Sequence, residues 1–393
     1  STVTAATLAA DWSDESTYSS TDQVVYNNTL WSAQQNVPVN QVPAESSDYW
    51  ESVDVARSGS VGVKATDSQT VTNVVGGVAF SAKGAVGAGI GLNFQDTTVS
   101  AIVDKSILTA NKVDVTASTT GVLSSIVIGG AGATTFALGG SIAVNETKNT
   151  LIAAVKNSSN IQAISTVDIT AKDSSSLVVF SGAGAGSKGV AVGFSIASTV
   201  ANNSVKAFID SSMVNSTTGN VQVTANILPP ATPLDFTAQG LSDADLPDEV
   251  DLGAQIISVA VAGSGSLAGG AVAGSISRNL MKNSVESYIS GDSSRVEAAG
   301  DVDVKALDQS TLVSVALGIA GASTNAGGVA ISHNYIGGNN FDLSPYLTST
   351  FLSSGLLGLD ALVPDRGYVR AYIEGATVDA GGDVSVLAHG ASI

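Results

Sequence analysis

The feature that most constrains this chain is a five-residue phrase, Val-x-Val-x-Ala or a close variant, that returns along its length. Its first valines stand at positions 61, 113, 167, 221, 302 and 384, so the intervals are 52, 54, 54, 81 and 82 residues. The two longer intervals fit the 54-residue unit with 27 or 28 added residues (81 − 54 and 82 − 54). The chain is therefore a series of units of about 53 residues.

Apolar residues alternate with polar or small ones in this phrase and in runs such as "GVAVGFSIA". A period of two predicts strands, and strands that cannot close a core alone must stack on the next unit. We therefore predict an all-β fold: a parallel β-solenoid, or flattened β-helix, of about 53-residue units, with a small β module and two loop insertions. Each unit forms either one wide coil or two narrower coils of about 26 residues. The halves of a unit resemble each other poorly, which favours the wide coil.

Each unit also carries a polar residue at a fixed place after its Gly/Ala-rich run. Stacked units would place these residues about 4.8 Å apart, which predicts an internal structural ladder of side chains, and would bring the Gly/Ala runs together as two closely apposed sheets. Asparagine also suits turns with left-handed backbone, which is the alternative for this position. The residues of the predicted ladder are Asn93, Asn145, Thr199, Asn279 and Asn334.

The first five residues belong to the repeats, although the segment after them does not. Val3-Thr4-Ala5 matches a smaller phrase that precedes the later copies, as Val378-Asp379-Ala380 does. Only a few residues normally separate the two phrases, whereas 55 residues lie between Ala5 and Val61. We therefore interpret 1–5 as the end of a solenoid coil, 6–59 as an inserted module and 60–393 as the repeats.

The inserted module holds all three tryptophans of the chain. Its sequence "ADWSDESTYSSTDQVVYNNTLWSA", followed by a proline-containing loop and a closing tryptophan, resembles the small chitin-binding carbohydrate-binding modules of families five and twelve. The resemblance implies that sugar rings stack on exposed aromatic faces of a small β module. Alternatively, the aromatic residues form the core of a module this small, and Tyr18 and Tyr49 are then the best candidates for exposure. The candidate carbohydrate contacts are Trp12, Tyr18, Trp31, Tyr49 and Trp50.

Two further segments interrupt the repeats. The segment 228–254 holds six acidic residues and no basic one, which fits either a solvated acidic loop or Ca²⁺ held by carboxylates. In the segment 335–367, Ser344-Pro345 before a leucine-rich run predicts a short helix that packs on the repeats or binds a partner. The candidate Ca²⁺ ligands are Asp243, Asp245, Asp248, Glu249 and Asp251.

Composition excludes several function classes. A net charge of −18, with few and scattered basic residues, argues against nucleic-acid binding. The absence of cysteine removes disulfides and thiolate chemistry, and the apolar runs are too interrupted for a membrane-spanning helix. No catalytic motif is present, and we interpret His333 and His389 as turn or surface residues. We predict that the chain is not an enzyme and has no cofactor, with Ca²⁺ as the possible exception.

Phrases such as "NNSVKAFIDSS" and "YVRAYIEGATVDAGGDV" resemble the large repetitive bacterial surface proteins known as filamentous adhesins or large exoproteins. The resemblance covers 60–393 and the first five residues, and it implies an extracellular, cell-surface or filament-forming protein with adhesive and biofilm roles. The expected partners are polysaccharides and other solenoids of the same kind, along or beside the coil. The alternative is a carbohydrate-active β-helix enzyme of the lyase or hydrolase type, because several such enzymes share this architecture.

Overall fold

The computed structural model describes residues 10–20, 22–26, 29–44, 47–52, 59–230, 255–337 and 367–390. Within these residues the only regular secondary structure is β-strand, so the predicted all-β class is confirmed. The chain divides into two compact units, Ser1–Gly59 and Ser60–Ile393.

The first unit is a four-stranded sheet in the order β1-β2-β3-β4. Strand β1 pairs with β2 in parallel, whereas the β2–β3 and β3–β4 pairs are antiparallel. Its core is formed by Val24, Trp31, Ala33, Val37 and Trp50. The strands are β1 (Ala10–Asp11), β2 (Gln23–Tyr26), β3 (Thr29–Ala33) and β4 (Trp50–Ser52).

The second unit consists of four parallel sheets, and each repeat adds one layer of strands, here called a rung, to all four. The valine sheet contains β5 (Ser60–Asp67), β9 (Lys112–Thr119), β13 (Val167–Asp173), β18 (Val221–Ile227), β23 (Val302–Asp308) and β28 (Val384–Gly390). The wing sheet contains β6 (Thr70–Ser81), β10 (Val122–Ala133), β14 (Ser176–Ser187), β19 (Ile256–Ser266) and β24 (Leu312–Ala322).

The long sheet begins with two 21-residue strands, β7 (Gly84–Asp104) and β11 (Phe136–Lys156). In later rungs two strands replace each long one: β15 (Val190–Ala201) and β16 (Ser204–Asp210), β20 (Gly270–Met281) and β21 (Ser284–Ser290), and β25 (Asn325–Ile336) and β26 (Tyr368–Glu374). The short sheet contains β8 (Ile107–Ala110), β12 (Asn160–Ala163), β17 (Met213–Ser216), β22 (Arg295–Ala298) and β27 (Thr377–Ala380).

Register is kept from rung to rung, so equivalent residues of successive repeats form columns across each sheet. Val61, Val113, Val167, Val221, Val302 and Val384 are consecutive partners in the valine sheet. The added residues of the two longer repeats leave this pairing unchanged. The parallel pairing expected from the repeat is therefore present in all four sheets.

The valine sheet, the short sheet and the second half of the long sheet share one hydrophobic core. Val113, Val115 and Ala117 are fully buried, whereas the residues between them are half-buried. The same alternation recurs in the later strands β13, β18 and β23. Each repeat therefore adds a layer of small β-branched side chains to a core that no single repeat could enclose.

The wing sheet packs directly on the first half of the long sheet. Larger buried side chains lie between the two sheets near the start of the wing strands, and further along glycine and alanine bring the two backbones together. A Cβ atom on Gly139 would be 2.0 Å from the backbone oxygen of Gly184, and one on Gly87 would be 1.8 Å from that of Gly130. Such distances are too short for any side chain, so these positions require glycine. Alanines such as Ala137 and Ala191 fill the remaining contacts. The Gly/Ala runs thus form two closely apposed sheets, as predicted.

The chain turns from the long sheet into the short sheet through left-handed backbone in every rung. This conformation is costly for most L-residues, and glycine or asparagine adopts it most readily. Gly291 and Gly375 supply it in the last two rungs. In the earlier rungs the residues with positive φ are Lys105, Asn157, Ser158 and Ser211.

Several predictions from the sequence concern residues outside the described parts of the chain. These are the coil end at 1–5, the predicted helix after Ser344 and the Ca²⁺ ligands Asp243, Asp245, Asp248, Glu249 and Asp251. Strand β25 reaches Ile336, so the long sheet extends beyond position 335, where the second insertion was expected to begin.

Candidate functional site

The aromatic residues of the first unit form one cluster around the buried core of the sheet. Trp12 meets Tyr26 edge to face at 5.1 Å between ring centroids, and Tyr18 meets Trp50 in the same manner at 5.2 Å. Edge-to-face pairs place the positive edge of one ring on the negative face of the other. The cluster therefore stabilises the module through its own aromatic faces.

Two of the five candidate carbohydrate contacts belong to this core, which corrects the prediction for them. Trp31 is 7% exposed and Trp50 is 2% exposed. The indole N–H of Trp50 donates a hydrogen bond to the carbonyl of Gln41 at 2.8 Å, so its polar edge is also satisfied internally. Neither ring has a free face for a sugar, because a module this small uses its large aromatic side chains to fill its interior.

Trp12, Tyr18 and Tyr49 are half-buried and remain the candidate contacts in the described part of the module. Tyr18 is fixed at both ends: its backbone exchanges hydrogen bonds with Val37 at 2.7 and 3.0 Å, and its hydroxyl accepts one from the Ser13 amide at 2.7 Å. Tyr18 is therefore half-buried and held by hydrogen bonds, rather than freely exposed as expected. Tyr49 precedes Trp50 in sequence, and its carbonyl accepts a hydrogen bond from the Gln34 amide at 2.9 Å.

The predicted ladder residues of the second unit are direct partners in one column of the long sheet. Asn93 faces Asn145, which faces Thr199, then Asn279 and Asn334. All five lie inside strands, so the alternative of a left-handed turn does not apply to them. The column is interrupted at Thr199, which instead contacts the hydroxyl of Ser258 at 2.6 Å.

The amides of this column connect the long sheet to the wing sheet. Asn93 Nδ2 donates to Asn145 Oδ1 at 3.1 Å, and Asn145 Nδ2 donates to the carbonyls of Leu123 and Val178 at 3.0 and 2.8 Å. Buried amides that are satisfied across two sheets fix the register of both. The role of this ladder is thus structural.

A second polar column, four residues further along, was missed from the sequence. Asn149, Asn203 and Asn283 are buried, and each of the last two accepts a hydrogen bond from the backbone amide of the preceding one. The signal is visible in hindsight, because asparagine or threonine followed four residues later by asparagine recurs in "NETKN", "TVANN" and "NLMKN".

Buried carboxylates accompany this column. Asp173 is fully buried and accepts hydrogen bonds from the Ser175 amide at 2.8 Å and from Asn149 Nδ2 at 3.4 Å. Burial is the largest influence on this carboxyl group and raises its pKa. Asp308 repeats the arrangement with Asn283 and Ser310.

A ladder of aromatic rings was also missed. Phe208, Tyr288 and Tyr372 stack in parallel on the outer side of the long sheet, with ring centroids 4.8 and 5.0 Å apart. Burial raises the pKa of the Tyr288 hydroxyl far above its usual value. The signal lay in the recurring phrases "KAFID", "ESYIS" and "RAYIE". Both faces of the Tyr288 ring and the inner faces of the other two rings are covered within the stack, so these faces cannot bind a sugar.

Neither histidine lies in a turn, which corrects part of their interpretation. His333 is a half-buried residue of β25 beside Arg278 of β20, and His389 is an exposed residue of β28. Partial burial and the neighbouring guanidinium lower the pKa of His333.

Within the residues that the structure describes, no group of three or more potential metal ligands is found. The same residues include no helix that is long and apolar enough to cross a membrane. Comparisons with family models, with curated proteins and with solved structures each return no match to this chain.

Proposed function

We propose that this chain is a structural and adhesive segment of an extracellular, cell-surface β-solenoid. In this proposal the four sheets of the second unit enclose one wide, flattened coil per repeat, and the first unit is a module displayed for contact with polysaccharide. Its partners are extracellular or cell-surface glycans and other copies of the solenoid.

The observation that carries the proposal is the unbroken register of the repeats. Every rung keeps the register of the one before it, and hydrophobic columns, a largely amide column and a three-ring aromatic column follow that register. A stack of this kind transmits load through backbone hydrogen bonds between rungs rather than through one separable core. Many of its buried polar side chains form hydrogen bonds that fix the register between strands, as expected of a structural scaffold.

Single-molecule pulling on the full chain, held at its two ends, tests the structural part of the proposal. We expect the repeats to yield one at a time, with contour-length steps of about 19 nm for a unit of about 53 residues at about 3.6 Å per residue. The two longer repeats should give proportionally larger steps. Release of the whole second unit in one event would contradict a stack of independently yielding repeats.

Polysaccharide binding to the full chain tests the adhesive part. We expect retention on insoluble chitin or on a glycan array, and a loss of at least about tenfold in affinity for Trp12→Ala or Tyr49→Ala. Gln34→Ala, a change at an exposed residue of the same module, is the matched control. An absence of binding to every polysaccharide tested would reject the glycan role and leave the structural one standing.

A further inference from the structure

The long sheet carries a broad apolar surface on the side that faces away from the wing sheet. Five isoleucines form one column across β7, β11, β15, β20 and β25: Ile90, Ile142, Ile196, Ile276 and Ile331. Ile90 is 60% exposed and Ile331 is 37% exposed, whereas Ile196 at the centre is buried. We call this surface, with its neighbouring columns, the isoleucine face.

The neighbouring columns extend the isoleucine face along the strands. Their exposed members include Val86, Phe136, Val190, Val272 and Val329. From Phe136 to Val144 the strand spans nine residues, or about 30 Å, and five strands span about 24 Å. The resulting area of about 700 Å² exceeds the apolar patches of most monomers and approaches the ~800 Å² that each partner contributes to a stable interface.

The balance of charges along one border of the isoleucine face changes along the stack, and the opposite border has Lys83 and Lys188 in the turns before β7 and β15. In the first two rungs the first of these borders holds Asp96, Glu146 and Lys148, of which Lys148 pairs with Asp96 at 3.6 Å. In the fourth rung it holds Arg278 and Lys282, and burial lowers the pKa of the Arg278 guanidinium. The first two rungs thus carry two acids and one base at this border, whereas the fourth rung carries two bases.

We propose that the isoleucine face binds the same face of a second copy of this chain, with the two stacks running in opposite directions. A twofold axis parallel to the strands keeps each column opposite itself and exchanges the first rung with the fifth. Ile90 then meets Ile331 of the second copy. Glu146 then faces the space between Arg278 and Lys282 of that copy, and Lys148, which is paired with Asp96, faces Lys282.

The apolar area of the isoleucine face and the charges at its border together support this arrangement. An apolar sheet face of this size is covered most effectively by another flat sheet, at the spacing of about 10 Å that is typical of packed sheets. The border charges favour opposite directions, because this arrangement brings Glu146 beside Arg278 and Lys282, whereas parallel stacks with every rung facing its own copy would bring the Arg278 and Lys282 side chains of both copies together. The inference rests on the proposed stacked architecture and adds lateral pairing to it.

The first test is reciprocal charge substitution in the full chain, followed by sedimentation velocity over a range of concentrations. Ile90→Lys and Ile331→Glu should each weaken self-association at least about tenfold, because each places an unpaired charge in an apolar interface. The double variant should restore it, as Lys206 and Glu286 of one column already pair at 3.0 Å. Ile128→Lys, at a 53% exposed position of the wing sheet, is the matched control and should have no effect.

The second test uses the absence of cysteine from the chain. Val190 lies on the middle strand of the isoleucine face, so the twofold axis places it next to its own copy. Val190→Cys should form a covalent dimer under mild oxidation, whereas Ile128→Cys should not. Circular dichroism and melting temperature establish that each variant is folded.

A chain that sediments as a monomer at every concentration would overturn the proposal, as would a folded double variant that stays dissociated. Binding of the monomer to phosphatidylcholine or phosphatidylglycerol vesicles through this face would overturn it too, in favour of a lipid surface. A monomer that still unfolds repeat by repeat under force would reject the pairing alone, and the proposed structural role would stand.

Discussion

At the scale of single residues, the contact between the wing sheet and the long sheet depends on the absence of side chains. Gly139 and Gly140 are neighbours in β11 but face opposite ways. A Cβ atom on Gly139 would collide with the backbone of Gly184, whereas one on Gly140 would have nothing within 4 Å. Backbone atoms cannot move aside individually. Position 140 therefore has room for a side chain and position 139 does not, although the two glycines are adjacent in the sequence.

Substitution of these glycines by alanine tests that difference. We expect Gly139→Ala to lower the free energy of unfolding by about 3 kcal/mol, because the two sheets must separate to admit a methyl group. Gly140→Ala should be neutral or stabilising by about 0.5 kcal/mol, since alanine costs less conformational entropy in a strand. Urea unfolding of both variants provides the measurement, and equal effects would contradict the close approach.

Asp173 makes stability depend on pH in a direction unusual for a carboxylate. Its pKa is raised in the folded chain, chiefly by burial, so the folded state binds the proton more tightly than the unfolded state. The contribution of this group to stability is greatest at low pH and declines as pH rises from about 4 through the raised pKa.

Asp173→Asn removes this titration while retaining a side chain of the same shape. We expect the stability difference between the original chain and the variant to shift in favour of the variant as pH rises from about 4 to 7. Urea midpoints at successive pH values measure it. The hydrogen-bond donor Ser175 is present in both proteins. If the stability difference between them did not change with pH, burial would not be raising the pKa of Asp173.

At the scale of elements, columns of equivalent side chains stabilise the pairing of several strands at once. The ring stack ties β16, β21 and β26 together through Phe208, Tyr288 and Tyr372. Removing the middle ring would break both stacking contacts at once. Such a change affects the pairing of three rungs, although it alters only one residue.

Tyr288→Ala and Tyr288→Phe separate the ring from its hydroxyl. We expect the alanine variant to lose about 3 kcal/mol of stability, through the loss of buried area and of two stacking contacts. The phenylalanine variant should remain within about 0.5 kcal/mol of the original chain because it preserves both contacts. Thermal unfolding followed by near-ultraviolet circular dichroism would reveal both effects, and a large loss in the phenylalanine variant would point to an essential hydroxyl.

The columns were easiest to predict from the sequence where the same residue type recurs in successive repeats. The Val-x-Val phrase and the polar residues Asn93 and Asn145 are similar in several units, so stacking could be predicted from spacing alone. The column of Phe208, Tyr288 and Tyr372 was harder to recognise, because Ala154 occupies its position in an earlier rung. The burial of Trp31 and Trp50 could not be predicted, since a tryptophan in a small module is equally suited to a core and to a sugar platform.

At the scale of the whole molecule, the second unit is a one-dimensional array whose inner rungs have a neighbour on both sides. The strands β10 and β14 lie between other strands of the wing sheet, whereas β6 and β24 pair on one side only within the described residues. Local opening should therefore cost least at the two ends of the stack.

Amide hydrogen exchange of the full chain can measure this gradient. We expect protection to be highest in β13 to β18 and lower by at least about tenfold in β6 and β24, because the end strands can separate without breaking a second ladder. Self-association through the isoleucine face would add protection on the long sheet but not on the wing sheet. Uniform protection across all rungs would instead indicate a single cooperative block.

The fixed register also bears on how the gene for such a protein can change in length. Removing or duplicating one complete repeat leaves every column in step, with valine on valine and glycine opposite glycine. An insertion or deletion of an odd number of residues within a strand would move each later side chain of that strand to the wrong face, and an even number would shift its register against the neighbouring strands. Recombination between similar repeats can therefore lengthen or shorten the protein in whole rungs while its cross-section stays the same.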